Sequence, residues 1–219
     1  MRYIIGIDLG TTNSAVAYVD LQHPTLAVQL FAIPQLISPG RVDTLPALPS
    51  FCYLPGGEEW SSGQLELPWK KSAAAVIGQL AKVQGARVPT RLVQSAKSWL
   101  CNVAANRRDK ILPVDAADTT QRLSPVEASA KYLEHLRDAW NAFMAKGNPS
   151  LELEEQEIVL TVPASFDEVA RALTIEAARQ AGFLHLTLIE EPQAAFYSWI
   201  ANHEEDWDKL FSVGQTILV

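Results

Sequence analysis

The sequence predicts an α/β fold in which a mixed sheet carries flanking helices and an inserted α+β subdomain. Three observations support this prediction. Strand-like segments follow one another at the N-terminus, helices alternate with strands in the C-terminal half, and a stretch rich in proline and glycine lies between them. The predicted order is three strands, an insertion, and then helix, strand, helix, strand, helix.

Composition excludes disordered, collagen-like and coiled-coil proteins. The chain has 219 residues, of which 48% are hydrophobic and 20% are charged, as in globular domains. Its net charge is −7, from 18 basic and 25 acidic residues, which argues against a nucleic-acid partner. No apolar run approaches the length of a membrane span, so no membrane partner is expected. Cys52 and Cys101 form no metal-binding spacing, and a cytoplasmic location is expected.

The chain is predicted to begin with a three-strand meander. Tyr3–Leu9 is apolar almost throughout, which is typical of a strand buried on both faces. A Gly-Thr-Thr-Asn turn at 10–13 leads to a second strand at 14–19, and apolar alternation predicts a third at 26–31.

The insertion is indicated by prolines and glycines between 34 and 68. Phe51, Tyr53, Leu54 and Trp60 need burial there, so short strands of a subdomain are favoured over a linker. Helices are expected at about 73–83 and 90–100.

The C-terminal half has clearer signals. Ser124, Pro125 and Glu127 form a capping box that predicts the start of a long helix, and Gly147 would end it. A strand at Glu157–Val162, a helix at 167–181, a strand at 185–189 and a helix from Pro192 to about 201 should follow. A final strand is expected at 215–219.

The turn after the first strand has the chemistry of a phosphate site. Asp8 ends a predicted buried strand, and an unpartnered carboxylate there would be unfavourable. Gly10 would let the backbone approach a ligand, and Thr11, Thr12 and Asn13 offer amides and hydroxyls for phosphate oxygens. Asp8 would hold Mg²⁺ through water. The alternative is an ordinary hairpin with a turn-favouring sequence.

Three motifs give the chain a family resemblance. The segment 4–16, the run Val162-Pro163-Ala164-Ser165-Phe166 and the run 189–195 (Ile-Glu-Glu-Pro-Gln-Ala-Ala) resemble, in order and spacing, motifs of the DnaK-type 70-kilodalton heat-shock chaperones. The order of elements also resembles the ribonuclease H-like fold of actin-like ATPases and sugar kinases. The resemblance is to the N-terminal lobe of the family's ATPase domain, in a divergent bacterial branch.

The resemblance implies roles for individual residues. Asp8 would organise the waters of Mg²⁺, and residues 10–13 would contact the β- and γ-phosphates of ATP or ADP. Lys97 would stabilise the γ-phosphate and the attacking water, and Glu191 would orient water near the metal. From the residues alone, Lys97 could be a solvated helix lysine, and Glu191 could be a helix cap.

Two further residues would relay the nucleotide state. Pro163 and Arg171 match the pair that signals to the family's substrate-binding domain, although Arg171 alone would be unremarkable on a helix. The chain departs from the family pattern at Ser98, Trp99 and Ser165. These departures put the usual exchange-factor and co-chaperone contacts in doubt.

The predicted domains divide the chain into three parts. Residues 1–45 and 123–203 would form the lobe I core, 46–122 the inserted subdomain, and 204–219 the start of a truncated lobe II. The Asp-Gly-Gly-Gly-Thr run of the family's second phosphate loop does not occur in these 219 residues. We therefore expect a fragment that is catalytically inactive and binds nucleotide weakly, and a final strand that is disordered, packed against another molecule, or folded onto lobe I.

The expected function is that of a chaperone ATPase. The parent protein would hydrolyse ATP with Mg²⁺ by positioning and charge stabilisation, and would act on unfolded client peptides together with co-chaperones through other domains. The alternatives are an actin-like filament protein, a sugar kinase, and a non-catalytic half-domain that binds a protein partner.

Overall fold

The fold is described by a computed structural model covering residues 1–57, 59–71, 74–116, 121–203, 210, 214–216 and 218. The strands are β1 (Tyr3–Leu9), β2 (Asn13–Asp20), β3 (Gln29–Leu30), β4 (Ile33–Ser38), β5 (Arg41–Leu45), β6 (Leu48–Pro49), β7 (Phe51–Tyr53), β8 (Val76–Ile77), β9 (Leu92–Gln94), β10 (Glu157–Val162) and β11 (Thr187–Glu190). The α-helices are α1 (Gln79–Arg87), α2 (Ala96–Leu100), α3 (Pro125–Trp140), α4 (Glu168–Gln180) and α5 (Glu191–Ala201).

The main sheet is mixed, as predicted. Its strand order is β11-β10-β1-β2-β3, and β6 also pairs with β2. β1 runs antiparallel to β2 but parallel to β10, and β10 runs parallel to β11. Asp8 lies opposite Thr161, which in turn lies opposite Ile189. The carboxyl ends of β1, β10 and β11 therefore meet at one edge of the sheet, the carboxyl edge.

The two faces of this sheet differ in burial. Tyr3, Ile5, Ile7 and Leu9 point into the core on the closed face, which α3 and α4 cover. Alternate residues of β1 lie on the opposite, open face, where Ile4 is 36% exposed. The prediction that β1 is buried on both faces is wrong, because Ile4 and Asp8 on the open face are exposed. Ala194 and Tyr197 of α5 line the groove on this face.

Local sequence signals correctly predicted the start of α3 and the bounds of β10. Ser124 Oγ accepts a hydrogen bond from the Glu127 amide at 3.0 Å, and the Glu127 carboxylate accepts one from the Ser124 amide at 2.8 Å, so the predicted capping box is confirmed. α3 passes into a π-helical turn at Asn141–Ala145 before Gly147. The strand Glu157–Val162 has the predicted bounds.

The inserted region differs most from the prediction. The expected helix at 90–100 is a short helical turn, then strand β9, then the five residues of α2. Cys52 of β7 pairs with Val93 of β9 in a three-stranded antiparallel sheet, so tertiary pairing overrides the helical pattern. The helix expected at 73–83 begins only at Gln79, and residues 72 and 73 lie outside the described part.

Two other expected strands are not found as predicted. The third strand is reduced to Gln29–Leu30, and Leu26 has a positive φ of 44°, outside strand geometry. At the C-terminus, Gln215, Thr216 and Leu218 belong to no strand, and residues 217 and 219 lie outside the described part. In the segments that the structure covers, no helix has the length and apolar character needed to cross a bilayer.

Candidate functional site

The carboxyl edge presents Asp8 to solvent. Asp8 is the penultimate residue of β1 and is exposed on the open face. Thr161 Oγ1, on the neighbouring parallel strand β10, donates a hydrogen bond to Asp8 Oδ1 over 3.1 Å. The carboxylate is therefore held at a defined position and keeps most of its oxygen lone pairs free for another ligand.

The turn after β1 requires glycine at its first position. A Cβ atom on Gly10 would lie 2.1 Å from the Asn13 carbonyl oxygen, so the turn closes too tightly for any side chain. Thr11, Thr12 and Asn13 are exposed. Ser50 supports the turn from below, because its Oγ donates to the Gly10 carbonyl at 2.8 Å and its amide to the Thr12 carbonyl at 2.9 Å.

Lys97 and Glu191 meet as an ion pair. Lys97 lies on α2 and is only 7% exposed, so it is not a solvated helix lysine. Its Nζ donates to the carboxylate of Glu191, the first residue of α5, whose side chain is 41% exposed. A buried ammonium needs such a partner. The pair joins two helices whose residues are 94 positions apart.

A second ion pair lies beside the first. Arg171 Nη2 donates to Glu190 Oε1 at 2.6 Å, and Arg171 Nε donates to the Phe166 carbonyl at 3.3 Å. The Phe166 amide in turn donates to the Pro163 carbonyl at 3.1 Å. Pro163 and Arg171 are thus linked through one intermediate residue.

The start of α4 is held independently of these contacts. Asp167 caps the helix by accepting from the Ala170 amide at 2.7 Å, and it receives two bonds of 3.0 Å from the Arg107 guanidinium. The hydrogen bond from Arg107, followed by that from Ala170, lowers the pKa of Asp167 below its usual value. Arg171 therefore projects from a helix whose N-terminus is firmly placed.

The structure brings some of the predicted residues together and leaves others apart. Lys97 contacts Glu191, and Pro163 lies near Arg171, whereas Asp8 and residues 10–13 make no bond to Lys97 among the described residues. Nowhere in the described ranges do three His, Cys, Asp or Glu side chains gather as a metal cage.

Sequence reasoning missed three residues of this region, Ser50, Thr161 and Glu190. Ser50 lies between β6 and β7, and Thr161 lies in β10, and the pairing of these strands could not be read from local patterns. Glu190 did have a signal, because it forms an acidic doublet with Glu191 directly before a helix-starting proline.

Comparison with known proteins identifies the family. The model of the family described as Hsp70 protein matches residues 70–209. Similar proteins include the chaperone protein HscA homologs of Bordetella pertussis, 33% identical over 203 residues, and of Ralstonia nicotianae, 35% identical over 205 residues. The chaperone protein HscA of Klebsiella pneumoniae subsp. pneumoniae is 29% identical over 199 residues.

These matches cover most of this chain but only a small part of each relative. Each covers 89% of this chain but only 27% or 28% of the relative, so the chain spans about a quarter of the length of the curated relatives it matches. The family match covers well over half of the chain and includes Lys97, Pro163, Arg171 and Glu191. The chain therefore belongs to the Hsp70 family.

Proposed function

We propose that the chain is the first lobe of an ATPase domain with the ribonuclease H-like, actin-like fold, and that its carboxyl edge binds the phosphates of Mg·ATP. The observation that carries this proposal is the buried Lys97, held by Glu191 directly after β11. Since Ile189 of β11 lies in register with Thr161 and Asp8, the three strands direct their ends to one region. Ligands of open α/β sheets bind at such an edge.

The residues present fit a magnesium–phosphate ligand. Asp8 is a carboxylate with free oxygen lone pairs, and Mg²⁺ commonly keeps water and takes one or two carboxylates. The Gly10 turn offers exposed amides and hydroxyls at 11–13, the donors that phosphate oxygens require. When bound, Mg²⁺ would neutralise phosphate charge during transfer to water.

The chain's own residues would have separate tasks. Asp8 would orient metal-bound water, residues 10–13 would bind the β- and γ-phosphates, and Lys97 would place its ammonium near the γ-phosphate. Glu191 would orient water once Lys97 turns to the phosphate. Pro163 and Arg171 would relay the state of this region to another domain.

The proposal extends to the whole protein. It comprises a core of residues 1–45 and 123–203, an inserted subdomain at 46–122, and residues 204–219 as the start of a second lobe. The full-length protein would hydrolyse ATP in the cytoplasm, where reduced thiols such as Cys52 and Cys101 persist, and act on client peptides with co-chaperones. Similarity to HscA chaperones supports this extension.

The test is ATP hydrolysis by the natural full-length protein and its Lys97→Met variant. Loss of one preorganised charge should lower kcat by about 10²–10³-fold. Lys110→Met is the matched control, because Lys110 is an exposed lysine paired with Glu127 on the surface. Unchanged hydrolysis in Lys97→Met would contradict the proposal. Hydrolysis that requires a sugar, or polymerisation with nucleotide, would favour the kinase or filament alternative.

A further inference from the structure

We propose that Glu190 is a positioning residue that couples Arg171 to the Lys97–Glu191 ion pair. This inference deepens the proposed function and rests on it, because it assigns a route by which occupancy of the phosphate region reaches Arg171. It depends on two consecutive glutamates that bind cations on two different elements.

The two glutamates are joined rigidly. Glu190 ends β11 and is the N-cap residue of α5, in extended conformation with φ −73° and ψ 140°. Glu191 is the first residue of the helix, and Pro192 follows with its φ fixed by the ring. A displacement of Glu191 at the start of α5 therefore displaces Glu190 as well.

The contacts of Glu190 close a ring. In the sheet, Glu190 lies opposite Val162, the last residue of β10. Its carboxylate binds Arg171, Arg171 binds the Phe166 carbonyl, and the Phe166 amide binds the Pro163 carbonyl, which follows Val162 directly. The ring contains both ends of the predicted relay, Pro163 and Arg171, and Glu190 is its link to the candidate site.

The charges of this arrangement balance in pairs. Lys97 is paired with Glu191 and Arg171 with Glu190, so each cation has its own carboxylate. An anionic phosphate near Lys97 competes with Glu191 for the ammonium and frees the start of α5 to move. Glu190 then moves relative to α4, whose N-terminus is held by Asp167 and Arg107, and Arg171 must readjust.

This link is particular to a carboxylate at position 190. An amide can accept a hydrogen bond but has no charge to pair with a guanidinium, and charge-assisted bonds are roughly twice as strong as neutral ones. The ion pair to Arg171 thus depends on Glu190 itself.

The experiment follows the Arg171 Nε–H resonance in NMR spectra of the 219-residue chain, assigned by its loss in Arg171→Lys. Without nucleotide, Glu191→Gln should shift this resonance in the wild-type background and leave it nearly unmoved in the Glu190→Gln background. Glu176→Gln is the control, because Glu176 lies on α4 with Arg171 but pairs with Arg108 at the surface, so its loss should not alter the response to Glu191→Gln. Circular dichroism establishes that each variant is folded.

Two outcomes overturn the inference. Either Glu191→Gln shifts the Arg171 resonance equally in both backgrounds, or it shifts the resonance in neither. A parallel titration with Mg·ATP separates this inference from the proposed function. If the wild-type chain and Glu190→Gln bind Mg·ATP within about twofold of each other, only the wild type should show an Arg171 shift. Failure of the full-length protein to bind Mg·ATP would remove the support for the proposed function, while the nucleotide-free spectra of the 219-residue chain would still decide the role of Glu190.

Discussion

The closed and open faces of the main sheet differ in how their side chains are packed. On the closed face, Trp140 is fully buried, and its ring meets those of Tyr3, Tyr18 and Phe31 at centroid distances of 5.3, 5.2 and 5.3 Å. On the open face, a mostly apolar groove of about 480 Å³ contains Asp8 and Thr161 among apolar side chains such as Ile4, Val28 and Ile189. The same strands supply both faces through their alternation.

This difference in burial predicts that substitutions on the two faces will affect different properties, stability on one face and ligand binding on the other. Substitutions on the closed face remove packed area and leave cavities, so they should act on the free energy of unfolding. Substitutions on the open face and at the carboxyl edge remove exposed or half-exposed groups, so they should act on binding.

The largest effect is expected at Trp140. Trp140→Ala would remove the centre of the aromatic cluster and the hydrogen bond from Nε1 to the Leu151 carbonyl, and should destabilise the fold by about 3–5 kcal/mol. Tyr197→Ala is the control on the open face, where Tyr197 is 53% exposed and a change within about 0.5 kcal/mol is expected. Urea denaturation would measure both, and equal losses would erase the distinction between the faces.

Acid should also lower the free energy of unfolding, because α3 carries a buried histidine. His135 of α3 is buried, and its Nε2 lies 2.9 Å from the Pro34 carbonyl, so Nε2 is the donor of this hydrogen bond. Burial lowers the pKa of His135 to about 4. Because the unfolded chain binds this proton near pH 6.5, the stabilisation is complete above that pH and is lost as the pH falls towards 4.

The expected loss over this window is about 3 kcal/mol. Urea midpoints measured between pH 7 and pH 4 would test it, with His135→Gln as the non-titrating comparison. A wild-type decline no steeper than that of His135→Gln would show that His135 does not control acid stability.

The smallest effect on stability is expected at Asp8. Asp8→Asn keeps the shape of the side chain and its position beside Thr161, so the free energy of unfolding should change by less than about 0.5 kcal/mol. In the full-length protein, loss of the charge should weaken Mg²⁺ affinity for the nucleotide complex by about 10–100-fold. Calorimetric titration with and without EDTA would measure this. A destabilised variant with unchanged metal dependence would place Asp8 among the structural residues instead.

The sequence predicted the fold best where local signals and tertiary packing agree. The capping box at Ser124 and Glu127 fixed the start of α3, and the apolar run at Glu157–Val162 fixed β10. In the inserted region the elements are two or three residues long, and their identity depends on pairing partners far along the chain. Leu92–Gln94 forms a strand because it pairs with the edge of β7, and no local sequence pattern could indicate this pairing.

The candidate site was predicted in its residues but not in its contacts. Asp8 and the Gly10 turn are visible because a strand-ending carboxylate and a tight turn have local signatures. The burial of Lys97 is invisible locally, since it depends on where α5 begins relative to α2. Glu190 was overlooked because the role of an acidic residue before a helix is set by the cation that reaches it, here from α4.

The separation of Lys97 and Glu191 along the chain has a consequence for biosynthesis. At ribosomal rates of about 5–20 residues per second, the 94 residues from 98 to 191 take roughly 5–19 s to be made. During that interval the ammonium of Lys97 has no counterion to enter the interior with, so α2 cannot settle in its final place. The nascent lobe must wait for α5 before the buried charge of Lys97 is neutralised, and a chain interrupted before residue 191 would expose that lysine to quality control.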